Sequence, residues 1–535
     1  MSGNREVKRC TFSWKGLIIP FLFALFNNSY SQTTWERLYG LPNRGERTYA
    51  VTRTYDNGFL YGILVQGSVP NHYGSWLLKT DINGFPIWSK YFFINDFSFI
   101  ITHIDEDDSG DIIITGDTRE FDQAGDPMIM RLNSCGEKIW CKYMHFPQSN
   151  FGWRVKHLAD GNYILLTKRA SNTWMEEWIQ LWKIDTLGNY LFCKQIVPTY
   201  IYPNLLGPTP SDLYLTLDNG FLLPGLCYFP EDTTNPQGVS VLQHLLIKTD
   251  STGNEEWIIP DTLNNDHIGA LNSSVELNGS FYMVGFTREL SPVWHPYLGK
   301  YNQLGHLAYE RIIHPDTLFS ILLGIIEDNN LFYQDGQCFY DTSEEFTGVF
   351  KTDTLGNLLL SMQNQNGSPR VGAFINSIDN KYLIGGHAPY DYTSFSQLDA
   401  WAMKVNENLE YDSLYSFPFV YDSLCPFPIP TDTVDCDCDL ITGYGEPVPV
   451  TERFRVEIYP NPATEKVQIR LNDLTGQEHR ELKKVILFDL FERRVMEKDF
   501  VIETEVETGK LNSGIYLVMV EKDGEVLARG KLVVF

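Results

Sequence analysis

The chain has 535 residues, with 68 acidic against 42 basic side chains and a formal net charge of −26. That length exceeds what one core fills, so several domains or one repeat array is expected. A content of 43% hydrophobic and 14% aromatic residues excludes a disordered polyelectrolyte and favours β-structure.

Arg5, Lys8, Arg9 and Lys15 precede an apolar run from Gly16 to Phe26, and the small Ser29 and Ser31 follow. This is the layout of a secretory signal peptide over residues 1–31, with Gln32 first in the mature chain. The apolar run is shorter than the ~20 residues of a membrane span, and no later stretch supplies a transmembrane segment. Residues 1–31 carry four basic and one acidic side chain, and residues 452–535 carry 14 and 16, which leaves −27 on residues 32–451. So acidic a body repels phosphate backbones and excludes nucleic acid as a partner.

Residues 32–420 repeat. One unit reads Asp56-Asn57-Gly58-Phe59-Leu60, a variable loop, Trp76-Leu77-Leu78-Lys79-Thr80-Asp81, then Gly84 and Ile87-Trp88-Ser89-Lys90-Tyr91. The first turn recurs near Gly110, Gly161, Gly220, Gly279, Asn330 and Lys381, and the basic position of the third run recurs at Arg131, Lys183, Lys248, Lys300, Lys351 and Lys404. Each unit holds four short runs separated by Asp, Asn and Gly, the hairpin signature. A four-strand unit at a period near ~50 residues predicts a propeller blade, and seven units predict a seven-bladed β-propeller. Trp35-Glu36-Arg37-Leu38-Tyr39 resembles the fourth run, so it is expected to pair into the last blade and close the ring, which removes open edges.

The second-to-third loops vary in length while the other turns stay tight, and variation on one face of a repeat marks a binding face. Their aromatics make Trp174, Tyr228, Trp294, Tyr340 and Tyr392 the candidate ligand-binding residues, since flat apolar rings stack on sugars or peptides. Asp105-Glu106-Asp107-Asp108-Ser109-Gly110-Asp111 begins like a calcium loop, but Gly116 stands where the closing Glu belongs, so it is read as a turn and no metal site is expected. No metalloprotease, nucleophile-elbow or phosphate-loop motif appears, which argues against an enzyme, and no cofactor is expected. Cys135, Cys141, Cys425, Cys436 and Cys438 are disulfide candidates in an exported chain, with connectivity open.

Residues 421–451, rich in Pro, Asp and Cys, read as a semi-rigid connector. Residues 452–535 hold short alternating runs that predict an immunoglobulin-like β-sandwich. Their motifs are Tyr459-Pro460-Asn461-Pro462-Ala463, Gly514-Ile515-Tyr516-Leu517-Val518 and Lys531-Leu532-Val533-Val534-Phe535. This resembles the type A C-terminal sorting domain of Bacteroidetes type IX secretion cargo, with Tyr459, Pro460, Asn461, Pro462, Gly514, Tyr516 and Lys531 as the sorting motif. The resemblance implies the secretion machinery as partner, export across the outer membrane, and a body attached to the surface or released. The repeats are similar to bacterial β-propeller repeat proteins. Recurring Asp-Ser/Thr-Leu/Val tripeptides, such as Asp185-Thr186-Leu187 and Asp353-Thr354-Leu355, resemble the O-glycosylation acceptor of such exported proteins. The expected function is a non-catalytic surface binding or adhesion module for glycan or protein. The alternatives are a secreted hydrolase acting on a polysaccharide or peptide and a structural surface component.

Overall fold

A computed structural model describes residues 35–534 apart from 67–72, 93–96, 121–124, 146–149, 170–177, 197–205, 231–239, 261–267, 289–293, 314–318, 340–344, 389–397, 412–420, 422–424, 426–428, 430, 435, 442–453, 462, 474–481, 489–492, 513 and 523–524. The signal peptide, Trp174, Tyr340, Tyr392 and Pro462 therefore lie outside the described residues.

Among the described residues every regular element is a β-strand, and residues 36–406 form seven antiparallel sheets. Six run in sequence order over 46–92, 97–143, 150–196, 206–260, 268–312 and 319–364. The seventh joins Ser368–Ser377, Lys381–Ala388 and Asp399–Asn406 to Glu36–Tyr39, the first strand of the chain. Glu46–Arg53 packs on both Phe97–Glu106 and Ser368–Ser377, and first strands likewise join the second sheet to the third, the fifth to the sixth and the sixth to the seventh. The fourth sheet meets its neighbours through Leu206–Pro210 on Trp178–Ile184 and Phe221–Pro230 on Ile268–Leu277, so the circuit closes. The strand that begins the chain is thus the outer strand of its last sheet, as the likeness of Trp35–Tyr39 to the fourth runs predicts.

The repeat motif has a physical cause in each sheet. The Asp or Asn after the third strand caps its own turn: Asp81 Oδ1 accepts from the Asn83 and Phe85 N–H groups at 2.9 and 2.8 Å, and Asn133, Asp185, Asp250, Asn302, Asp353 and Asn406 do the same two and four residues on. The fourth residue of these turns has positive φ, which explains the recurring glycine; Leu409, at φ 59°, takes its place in the seventh. Asp185-Thr186-Leu187 and Asp353-Thr354-Leu355 are two of these turns.

Neighbouring sheets are joined through the same turns. An outer-strand aromatic donates to the next turn's carbonyl: Trp140 Nε1 to Thr186 at 2.9 Å, Trp257 Nε1 to Gln303 at 3.1 Å, and Tyr39 Oη to Gly84 at 2.9 Å. The last bond joins the seventh sheet to the first. The basic residue of the third strand pairs with the acid of the first turn, as in Lys79–Asp56 (2.8 Å), Lys183–Asp160 (2.5 Å), Lys248–Asp218 (2.8 Å), Lys404–Asp379 (2.7 Å) and Arg131–Asp111. Where that turn carries asparagine, at 278 and 329–330, Lys300 lies 5.2 Å from the Tyr282 ring and Lys351 5.1 Å from Tyr333.

Residues 421–441 do more than connect. Asp432–Thr433 pairs in parallel with the outer strand of the first sheet, and Asp439–Leu440 with that of the second. Disulfides Cys135–Cys425 and Cys141–Cys438 fasten this strap, with ion pairs Lys90–Asp432 (2.6 Å) and Lys142–Asp439 (2.8 Å). Cys436 corrects the disulfide expectation, for it belongs to neither bridge. It is buried with Val434 in the apolar seam between the two sheets, and the cysteines of that seam, Cys141 and Cys438, already bridge each other.

The tail is a two-sheet sandwich. Phe454–Tyr459, Lys466–Asp473 and Glu503–Glu507 form one sheet; Lys483–Phe488, Arg494–Phe500, Gly514–Lys522 and Glu525–Val534 form the other. Val467, Ile469, Val485, Leu487, Val518 and Leu532 fill the space between them. Asn461 Oδ1 accepts from Val533 N–H at 2.9 Å and Ala463 N–H donates to Val533 O at 2.8 Å, so the first and last tail motifs form one structure. Tyr516 is buried and donates to Asn512 O at 2.7 Å, Gly514 opens its strand, the Lys531 backbone pairs with Leu517, and Tyr459 and Pro460 are exposed.

Candidate functional site

The first strands, which join sheet to sheet around most of the ring, share an irregularity. Register shifts fall between Thr48 and Ala50, Ile101 and His103, Gly152 and Arg154, Leu206 and Thr209, Leu271 and Ser273, Leu322 and Gly324, and Pro369 and Phe374. A bulge adds a residue and re-aims its side chain. Tyr49, Trp153, Arg370 and Gly372 occupy such positions and are half-buried.

Two groups of side chains converge there. Arg154 is 2% exposed; its Nε donates to Asp212 Oδ1 at 3.3 Å and Nη1 to Trp153 O at 3.0 Å, and Ser273 Oγ donates to the other Asp212 oxygen at 3.2 Å. Arg154 Nη2 has no hydrogen-bond partner and lies 3.4 Å from where a Cβ on Gly372 would stand. Arg154 belongs to the third sheet and Gly372 to the seventh, so this side chain spans the centre. In the second group, the Arg370 guanidinium lies 5.3 Å from the Tyr49 ring and its Nε is buried without a hydrogen-bond partner. Burial, with Arg370 and Arg47 nearby, pushes His387 down to about 3, so it is neutral at physiological pH. Among the described residues of these contacts, the guanidiniums of Arg154 and Arg370 stand with one carboxylate, Asp212.

Other acids are engaged elsewhere. The Asp105–Asp111 stretch is a turn: Asp107 Oδ1 accepts from Ser109 and Asp111 N–H, each at 2.9 Å, Glu106 accepts from Tyr55 N–H at 2.9 Å, and Asp111 pairs with Arg131. Burial raises the pKa of Asp105, yet Lys156 at 3.2 Å and His157 at 3.1 Å hold it well below the carboxylate range. Asp335 is fully buried beside Gly324, and burial, opposed in part by the backbone N–H groups of Asp335 and Gly324, pushes its pKa up to about 8. Its raised folded-state pKa means the folded chain binds more protons than the unfolded one between about pH 4 and 8. Stability contributed by Asp335 therefore falls as pH rises through that window. Asp335→Asn is expected to leave the melting temperature near wild type at pH 4 and to raise it at pH 8; an equal shift at both pH values would contradict the assignment.

Two of the five aromatic candidates are described. Tyr228 and Trp294 are half-buried, and Trp294 meets Phe286 edge-on at 4.7 Å. They sit at the ends of second and third strands of the fourth and fifth sheets, in neither group at the centre. The arginines were missed in the sequence because Arg370 falls on a bulge and Arg154 directly follows one, where two-residue alternation breaks.

Ring and tail define an exported, propeller-like all-β protein. Residues 457–534 match the secretion system C-terminal sorting domain. The chain is thereby type IX secretion cargo, sent to the cell surface or released. No helix among the described residues is long and apolar enough to cross a membrane. No curated protein matches the sequence. Among solved structures, polysaccharide lyase Uly1 has a TM-score of 0.45 at 10% identity, over 67% of this chain and 90% of its own. A PL25 ulvan lyase gives 0.46 at 8%, over 70% and 96%. A subtype N11 neuraminidase-like protein of A/flat-faced bat/Peru gives 0.35 at 12%, over 68% and 89%. These are likenesses of fold.

Proposed function

We propose that the exported body is a non-catalytic binding module for an extracellular glycan or protein. In this reading the seven sheets are the blades of one propeller and the tail is an immunoglobulin-like sandwich. The observation that carries it is a pair of buried guanidinium N–H donors without hydrogen-bond partners, Arg154 Nη2 and Arg370 Nε. Buried donors left unmade are costly, and a ligand that accepts from them recovers that cost. Tyr228 and Trp294, with Trp174, Tyr340 and Tyr392, would border such a ligand.

A screen of the full chain against glycans and extracellular proteins tests this. A saturable ligand is expected, and Trp174→Ala or Trp294→Ala should weaken it by about 1 kcal/mol, roughly fivefold, per lost stacking contact. An empty screen would sink the binding reading and leave a structural role or catalysis.

A further inference from the structure

We infer that the ring centre is an oxyanion site for an acidic saccharide, held by Arg154 and Arg370 with Arg47 beside them. This deepens the binding reading and rests on it. The first support is donor geometry. Arg154 is oriented by Asp212 and the Trp153 carbonyl, which leaves Nη2 without a partner, and a Cβ on Gly372 would stand over its guanidinium, 3.4 Å from Nη2 and 3.6 Å from Cζ. Arg370 lies two residues from that glycine, and its Nε is a second buried donor without a partner. Guanidinium edges suit carboxylate and sulfate, which accept two parallel N–H bonds.

The second support is space. Gly372 has φ +84°, a conformation that glycine adopts freely, and its missing side chain leaves the spot over the Arg154 guanidinium open. The third is charge. On a chain of net charge −26, two guanidiniums, Arg154 and Arg370, with one carboxylate, Asp212, among the described residues of the two groups draw an anion inward. Low exposure strengthens each such bond over its value in water. Tyr49 and Trp153, flat and half-buried beside the two guanidiniums, favour a saccharide as carrier of the anion over an acidic peptide.

Titration calorimetry on the full chain separates the outcomes. The probes are a uronate oligosaccharide, a sulfated oligosaccharide, a neutral oligosaccharide of equal length, polyglutamate and inorganic sulfate. One or both acidic saccharides should bind, with the neutral oligomer and polyglutamate at least tenfold weaker and affinity falling as salt rises. Arg370→Gln, a half-buried change, should cost at least tenfold while the melting temperature stays at the wild-type value. Arg154→Gln should do the same, and Arg370→Gln keeps the test decisive where Arg154→Gln fails to fold. Wild-type affinity in Arg370→Gln would overturn this site and leave the binding reading standing. Preference for polyglutamate, or equal binding of inorganic sulfate alone, would overturn the saccharide assignment. If no probe binds, the site is overturned, and the broader screen decides the reading beneath it.

Discussion

Asp56→Ala is expected to destabilise the ring by about 3–5 kcal/mol, because it strands the Lys79 ammonium in the interior. Both side chains are buried, at 0% and 2% exposure, and their atoms are 2.8 Å apart. Taking either charge from water costs several kcal/mol, and the opposite charge of the partner offsets it. Lys79→Met should be similarly costly, since it takes the opposite charge from the buried Asp56 carboxylate, which keeps the Thr54 hydroxyl donor at 2.6 Å. The double variant Asp56→Leu/Lys79→Met removes both penalties and should recover most of the loss. The equivalent pair Lys183–Asp160 supplies the control: Asp160 is 46% exposed, and its loss should cost about 0–1 kcal/mol. Denaturant unfolding of the four variants measures these differences. Equal effects of Asp56→Ala and Asp160→Ala would show that burial does not govern the pairs.

Loss of both strap disulfides should cost far more than twice the loss of one. Cys135–Cys425 spans 290 residues and Cys141–Cys438 spans 297. Loop-closure entropy puts the first bridge of that span near ~6 kcal/mol at 25 °C. With one bridge in place, the other closes a loop of only ~20 residues, worth ~3 kcal/mol by the same relation. Cys425→Ser or Cys438→Ser alone should therefore lose ~3 kcal/mol, and the double variant ~9. Melting temperatures of the single and double variants, with and without reductant, test the non-additivity. Strictly additive losses would mean that the strap does not hold the reduced chain in one closed loop.

Much of the architecture was legible because the chain reuses one local device. An Asp or Asn capping its own turn and a glycine at positive φ mark the same hairpin in sheet after sheet, and Trp35–Tyr39 shows the phase of closure. The basic-residue pairing was also present in the sequence and was missed. Lys79, Arg131, Lys183, Lys248 and Lys404 accompany acids at 56, 111, 160, 218 and 379, while Lys300 and Lys351 accompany asparagine turns. The strap was hidden because proline and aspartate in 421–441 imitate a free connector, whereas Val434, Cys436 and Cys438 alternate toward a seam. The Arg154–Gly372 approach had no local signal: it joins residues of opposite sheets through bulges that interrupt strand periodicity.

The tail decides where the chain goes; the ring decides what it does there. The most direct test of a binding ring is to incubate the full chain with the acidic oligosaccharide it binds best and follow the sugar by mass spectrometry. The account predicts saturable binding with the oligosaccharide recovered at its original length after prolonged incubation. Shortened products accumulating with time, and abolished by Arg154→Gln or Arg370→Gln, would contradict it and make the ring centre an active site.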